Sequence, residues 1–208
     1  MTGLLAAFSG RRAADLVLFT VTAAELVLLV RLSAGFGLVD AIYVLQHLLV
    51  LGIALTRRPP SALDRSWPSA LAVIVAFAYP YAQVIWLHGT AGEPAWPAAG
   101  LALVTGSAGL NLASLLALGT GFGYRPALRD LARAGPYAAV RHPMYLAYLI
   151  GDVGYNLEEW NIGTLAIVAT GWSALVWRIG AEERLLARDP GWQTYTAAVR
   201  WRLIPFVW

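Results

Sequence analysis

The residues best equipped for chemistry stand in the run Arg141-His142-Pro143-Met144-Tyr145 and at Glu182-Glu183. Pro143 suits the first position of a helix, because its missing N–H would have had no intrahelical partner there. Arg141 and His142 then sit at the helix mouth. At 3.6 residues per turn, His142, Tyr145, Leu149, Asp152, Asn156 and Glu159 fall within roughly 100° of one another, forming one polar stripe down a short apolar helix. A structural account makes Arg141 an interfacial anchor and Tyr145 an interfacial aromatic, but it leaves Asp152 unexplained. Glu182 and Glu183 taken alone suit a solvated helix face, with Arg178 four residues earlier able to pair with Glu182. Arg offers bidentate recognition of a carboxylate, carboxylates suit an ammonium or hydroxyls, and His moves protons.

The elements that position these groups are spanning helices. Hydrophobic content is 59%, charged content 13% and mean hydropathy +0.61, so lipid is the solvent for most of the surface. A span needs roughly 20 apolar residues to cross about 30 Å of hydrocarbon. Asp15–Leu32, Phe36–Thr56, Trp67–His88 and Trp96–Gly119 meet that requirement. Pro143–Glu158 and Ile162–Ile179 follow, the first short enough to be embedded in protein. The expected fold is therefore all-α, with about six transmembrane helices in one membrane domain over residues 1–208. Four N-terminal spans occupy 15–119, and the chemistry lies in 120–208.

Every basic residue is Arg, and with the N-terminus inside, fourteen of the fifteen fall on cytosolic segments, Arg31 being the exception. The connector 89–95 carries Glu93 and no Arg, whereas 120–142 carries Arg125, Arg129, Arg133 and Arg141. Both termini are thus expected in the cytosol, with Arg11 and Arg12 preceding a retained first span. Beyond a Pro190-Gly191 break, Trp192, Tyr195, Val199 and Leu203 lie along one side of an amphipathic helix suited to the membrane surface. The Arg are explained by topology, which argues against nucleic-acid binding. The absence of Cys excludes disulfides, thiolate metal sites and Cys nucleophiles.

Other polar groups at membrane depth are Glu25, Asp40, Gln46 and His47, whose favoured role is to tie helices together. A competing use is a proton or ion relay through Asp152, Glu25, Asp40 and His47, as in a transporter. No internal repeat supports transport. No second His lies at helical spacing from His47, and no metal site is expected. Gly109, Ala113 and Ala117 form a small-residue face expected to pack closely. Gly119-Thr-Gly-Phe-Gly123 suits a flexible exit from a span better than an anion-binding loop.

The order and spacing of Gly135-Pro136-Tyr137, Arg141-His142-Pro143-Met144-Tyr145, Glu182-Glu183-Arg184-Leu185-Leu186, Gly191-Trp192-Gln193-Thr194-Tyr195 and Arg202-Leu203-Ile204-Pro205 resemble the isoprenylcysteine carboxyl methyltransferase family, to which phospholipid N-methyltransferases are related. The resemblance covers the last third of the chain, and its Arg and Ala bias fits a bacterial member. Ala147 stands where the family usually has Gly. The resemblance implies an integral membrane enzyme using S-adenosylmethionine, with Tyr137, His142, Pro143, Tyr145, Asp152, Glu182 and Glu183 along the cofactor pocket. Arg141 would support that pocket or engage the substrate, and His142 or Glu182 would take a proton from an amine acceptor. The implied acceptor is lipophilic or small and membrane-permeant, methylated on O, S or N at the cytosolic face of the plasma membrane. Prenylated proteins are generally lacking in bacteria, so that acceptor is not assumed.

Overall fold

In a computed structural model, the described residues are 19–28, 30–31, 37–56, 60–89, 96–128, 131–158 and 161–208. Arg11, Arg12, Glu93, Arg129, Glu159 and the His88 side chain lie outside them. The apolar runs form helices α1 (Phe19–Leu28), α2 (Leu38–Thr56), α3 (Trp67–Gly89), α4 (Pro97–Leu118), α5 (Pro143–Glu158), α6 (Ile162–Leu186) and α7 (Trp192–Ala198). The chain is an all-α membrane protein. Leu38–Thr56, Pro97–Gly121 and Ile162–Leu186 are each long and apolar enough to cross a bilayer by length and composition. The sixteen residues of α5 reach only about 24 Å at 1.5 Å per residue. It sits mostly within protein, packed on α4 and α6, as its length and Asp152 predict.

Local chemistry sets the helix ends. Pro97 and Pro143 open α4 and α5, where a missing N–H costs nothing. Asn161 caps α6, its Oδ1 accepting from Gly163 N at 2.8 Å and from Trp86 Nε1 at 3.0 Å. At the far end of α4, Gly119 takes φ +52°, a conformation that favours glycine, and the chain passes into a 3₁₀ turn, Gly119–Gly121. That turn bonds Gly119 N–H to Leu115 O and Phe122 N–H to Gly119 O.

The loops at one end of the bundle are stitched together. Two-residue strands β1 (Ala62–Leu63) and β2 (Ala127–Leu128) pair antiparallel, Ala62 opposite Leu128 and Leu63 opposite Ala127. This small ladder, absent from the sequence expectation, joins the α2–α3 and α4–α5 connectors. At the opposite end Trp96 N–H donates to Leu157 O, tying the start of α4 to the end of α5. Arg65, Arg125, Arg133, Arg141, Arg200 and Arg202 stand at the stitched end or in the segments that reach it.

Two contacts differ from expectation. The face of Gly109 and Ala113 is exposed, and a Cβ at Gly109 would meet nothing. α4 instead buries Gly100, Val104, Ser107 and Ala108, because Gly151 and Gly154 of α5 supply the close approach. The side of the C-terminal segment carrying Tyr195, Val199 and Leu203 is buried against the rest of the protein, 4%, 6% and 9% exposed. The α7 helix also stops at Ala198, so Val199 and Leu203 reach the same side from irregular chain.

One glycine positions a site residue directly. A Cβ at Gly171 on α6 would run into the Tyr79 ring on α3, and Tyr79 in turn donates to Asp152. Gly171→Ala is therefore expected to overpack the α3–α6 seam and to cost about 2 kcal/mol. Thermal unfolding in detergent measures it, and an unchanged midpoint would show that the seam tolerates the methyl group.

Candidate active site

The start of α5, the end of α6 and the C-terminal segment converge at the stitched end. Main-chain bonds align them first: Arg141 N–H donates to Trp201 O and His142 N–H to Arg202 O, both at 2.9 Å. The Arg141 side chain then spends its donors on the same segment. Nε reaches Val199 O at 2.9 Å, Nη2 reaches Arg200 O at 2.8 Å and Nη1 pairs with Glu183 Oε1 at 2.9 Å. Tyr195 adds a bond from its hydroxyl to Tyr137 O at 2.9 Å. Burial, with Glu183 nearby, pushes the Tyr195 hydroxyl up to about 12 against the opposing pull of Arg141, so it stays a donor throughout the ordinary pH range. Burial likewise raises Tyr137, with the Glu182 charge adding to it.

The two adjacent glutamates part company. Glu183 places Oε2 at 2.8 Å from Arg202 Nε and shares Oε1 between Arg141 and His142 Nε2, the latter at 3.4 Å. It faces the C-terminal segment and is fully committed there. Glu182, one residue earlier, lines a cavity. Its Oε1 accepts from Tyr145 OH at 2.5 Å and lies 3.7 Å from Arg178 Nη2, the pair that their four-residue spacing predicts. Its Oε2 is 3.7 Å from His142 Nδ1. His142 is thus flanked by a carboxylate at each ring nitrogen, and its ring stacks on Tyr145 at 5.7 Å between centroids.

The cavity measures about 580 Å³ and runs inward from this cluster. Tyr137, Arg141, His142, Tyr145 and Glu182 line it, together with Trp192. Pro143 is buried as the first residue of α5 and serves the backbone turn. Deeper in, Asp152 borders the cavity with Oδ2 accepting from Trp172 Nε1 at 2.7 Å and from Tyr79 OH at 3.1 Å. Asn156, next along the expected stripe, donates to Asp152 O and accepts from Thr164 Oγ1 at 2.5 Å. The stripe from His142 to Asn156 is real, and it faces protein.

The pairing of Arg178 with Glu182 was legible from spacing, but the burial of Arg178 and the part played by Tyr124 were not. Arg178 is 6% exposed, donates to Tyr124 O at 2.8 Å and holds its guanidinium 5.5 Å above the Tyr145 ring. Its Nε is buried without a hydrogen-bond partner. Tyr124 follows the Gly119–Gly123 run, and only that run marks it as the end of a span.

A family model described as phospholipid methyltransferase matches residues 96–189. That stretch is similar to the phospholipid methyltransferase family. The family domain opens at α4 and takes in the 3₁₀ turn, the Arg141–Tyr145 run, all of α5 and α6, and Glu182 and Glu183. Outside it stand α1, α2, α3 and the C-terminal segment that Arg141 grips. The methyltransferase domain therefore carries one wall of the cavity, and elements beyond it close the rest. No curated protein and no solved structure matches the chain.

Proposed function

We propose that the protein transfers a methyl group from S-adenosylmethionine to a lipophilic or small membrane-permeant acceptor, on O, S or N. The observation that carries this reading is the division of labour at Glu182 and Glu183: one carboxylate is turned into a cavity of about 580 Å³ beside an Arg and two aromatic rings, while its neighbour locks the wall behind it. The volume lies within the roughly 300–1,000 Å³ range of cofactor sites.

The donor set fits the cofactor. Glu182 would take its ammonium or ribose hydroxyls, and the unpartnered Nε of Arg178 suits its carboxylate. Tyr137, His142 and Tyr145 would complete the wall, with Trp192 beside them. When bound, the cofactor supplies a methyl group activated on a sulfonium. The chain's own contribution is positioning and exclusion of water. Arg141 acts through the C-terminal segment it clamps, and Glu183 through Arg141 and Arg202. The His142 ring stands between the two carboxylates, with Nδ1 3.7 Å from Glu182 Oε2. Asp152 sits beyond these residues, held by Tyr79 and Trp172, and would shape the inner wall.

In this reading the Arg-rich end faces the cytosol across the inner membrane, so the polar cofactor enters from water and the acceptor from lipid. The family match favours transfer over a relay. Asp152 is bonded to Tyr79 and Trp172, and Asp40 accepts from Gly37 N–H.

Purified protein in detergent should be stabilised by S-adenosylmethionine. At about 100 times Kd the gain is about 2.7 kcal/mol, or about 5–11 °C for a chain of this size. Absence of a shift at millimolar cofactor overturns the reading. Transfer of labelled methyl into a host lipid extract identifies the acceptor.

A further inference from the structure

The inner end of the cavity, where Glu25 on α1 lies 3.8 Å from His47 Nε2 and 3.4 Å from Tyr124 OH, belongs to the site above. The outer side of the cavity wall is a separate surface. After Arg202 the chain closes on itself: Leu203 N–H and Ile204 N–H both donate to Trp208 O, and Val207 N–H donates to Ile204 O at 3.1 Å. This is a tight turn with Pro205 in its second position and Phe206 in its third, at φ +67°. That third position favours Gly or Asn when φ is positive, and Phe206 alone among the described non-Gly residues has such a φ. The strained turn holds its apolar side chains outward, Phe206 87% exposed and Val207 75%.

Two observations say what covers them. Ile204 and Trp208 pack against the cluster that holds Leu175 and Ile179, and both of these lie within Ile162–Leu186, a helix long and apolar enough to cross a bilayer. The turn is therefore seated on a spanning helix. Around it stand arginines over tryptophan rings: Arg200 at 5.1 Å from Trp201, Arg202 at 5.6 Å from Trp208 and Arg184 at 6.0 Å from Trp177. The Trp201 ring in turn lies 5.3 Å from Phe206. Arg184 and Arg200 are exposed, and among the described residues no carboxylate pairs with either. Indole rings and arginines with apolar stems suit the level of lipid headgroups, where cations meet anionic phosphates. A second copy of the chain docked symmetrically here would bring unpaired cations together.

We infer that the Pro205–Val207 turn is a wedge in the bilayer: Phe206 and Val207 enter the acyl region just below the headgroups, and Arg184 and Arg200 bind the phosphates of anionic phospholipid. The lipid thereby latches the cavity wall from outside. Trp201 O and Arg202 O hold the N–H groups of Arg141 and His142, and the Arg202 side chain holds Glu183, so a turn anchored in lipid fixes all three. The effect on cofactor affinity rests on the methyl-donor reading above; the wedge itself does not.

The sequence contains no Cys, so Val207→Cys gives one labelling position. A nitroxide there, in vesicles of phosphatidylcholine and phosphatidylglycerol, is expected to collide several-fold more with dissolved oxygen than with an aqueous nickel chelate. A label reached more readily by the chelate overturns the inference. Phe206→Gly removes the ring and suits the backbone, so in a turn that only completes the fold it would change nothing. For a wedge, it is expected to raise proteinase K cleavage near residues 199–203 several-fold in the same vesicles and to weaken S-adenosylmethionine binding several-fold. Arg200→Gln is expected to act likewise in these vesicles and to have no effect in phosphatidylcholine alone. Wild-type cleavage and cofactor affinity in Phe206→Gly overturn the latch. Should S-adenosylmethionine fail to bind the wild type, the donor reading falls, and label depth and cleavage still judge the wedge.

Discussion

Glu182→Gln is expected to weaken S-adenosylmethionine binding by about 30-fold while leaving the unfolding temperature of the ligand-free protein nearly unchanged. The amide keeps an oxygen to accept from Tyr145 OH, and Arg178 retains the Tyr124 carbonyl, so the wall stays in place. What goes is the negative charge presented to the cavity. A hydrogen bond to a charged group contributes about 1.5–3 kcal/mol, and 2 kcal/mol corresponds to about 30-fold in affinity. Isothermal titration or a cofactor-dependent thermal shift reads it. The control is one residue away: Glu183→Gln should lower stability and touch affinity only through the wall. If the two variants behave alike, the assignment of opposite duties to the two glutamates is wrong.

The largest loss of stability is expected from Arg141→Ala, at about 3 kcal/mol, the upper scale of losing hydrogen bonds made by a charged group in a part-buried cluster. The substitution strands Val199 O and Arg200 O, which the guanidinium now satisfies, and removes one of the cations on Glu183. Arg202 keeps the other oxygen, so the C-terminal segment should loosen first and the helices later. Limited proteolysis should cut near residues 199–203 in the variant and spare the wild type. Arg141→Lys is expected to recover little, because one ammonium cannot bridge two carbonyls and a carboxylate in fork geometry. A variant with wild-type proteolysis and midpoint would show that the clamp is dispensable.

Helix positions were legible because they depend on local signals. Trp67 opens α3, and Pro143–Glu158 has both ends where the sequence places them, since proline, apolar run length and helix-end chemistry act over a few residues. The polar stripe followed from 3.6-residue periodicity, and the Arg178–Glu182 pair from its spacing. What periodicity cannot state is which neighbour a face will meet. Gly109 and Ala113 had the composition of a packing face, yet Gly151 and Gly154 on α5 brought α5 to the adjacent side of α4. Adjacent identical residues are equally opaque: only the return of Arg202 and the carbonyls of 199 and 200 turns Glu183 outward and leaves Glu182 facing in. The pairing of Glu25 with His47 was hidden for a similar reason, because each residue taken alone reads as a tie between helices.

Tyr124 binds Arg178 through its main-chain oxygen and Glu25 through its hydroxyl. One residue thereby spans both ends of the cavity, so a ligand that pulls Arg178 away from that oxygen also shifts the group resting on Glu25. Occupancy at one end then sets affinity at the other, and the factor is the same in both directions. Any coupling between the two ends of the cavity therefore runs through a single loop tyrosine.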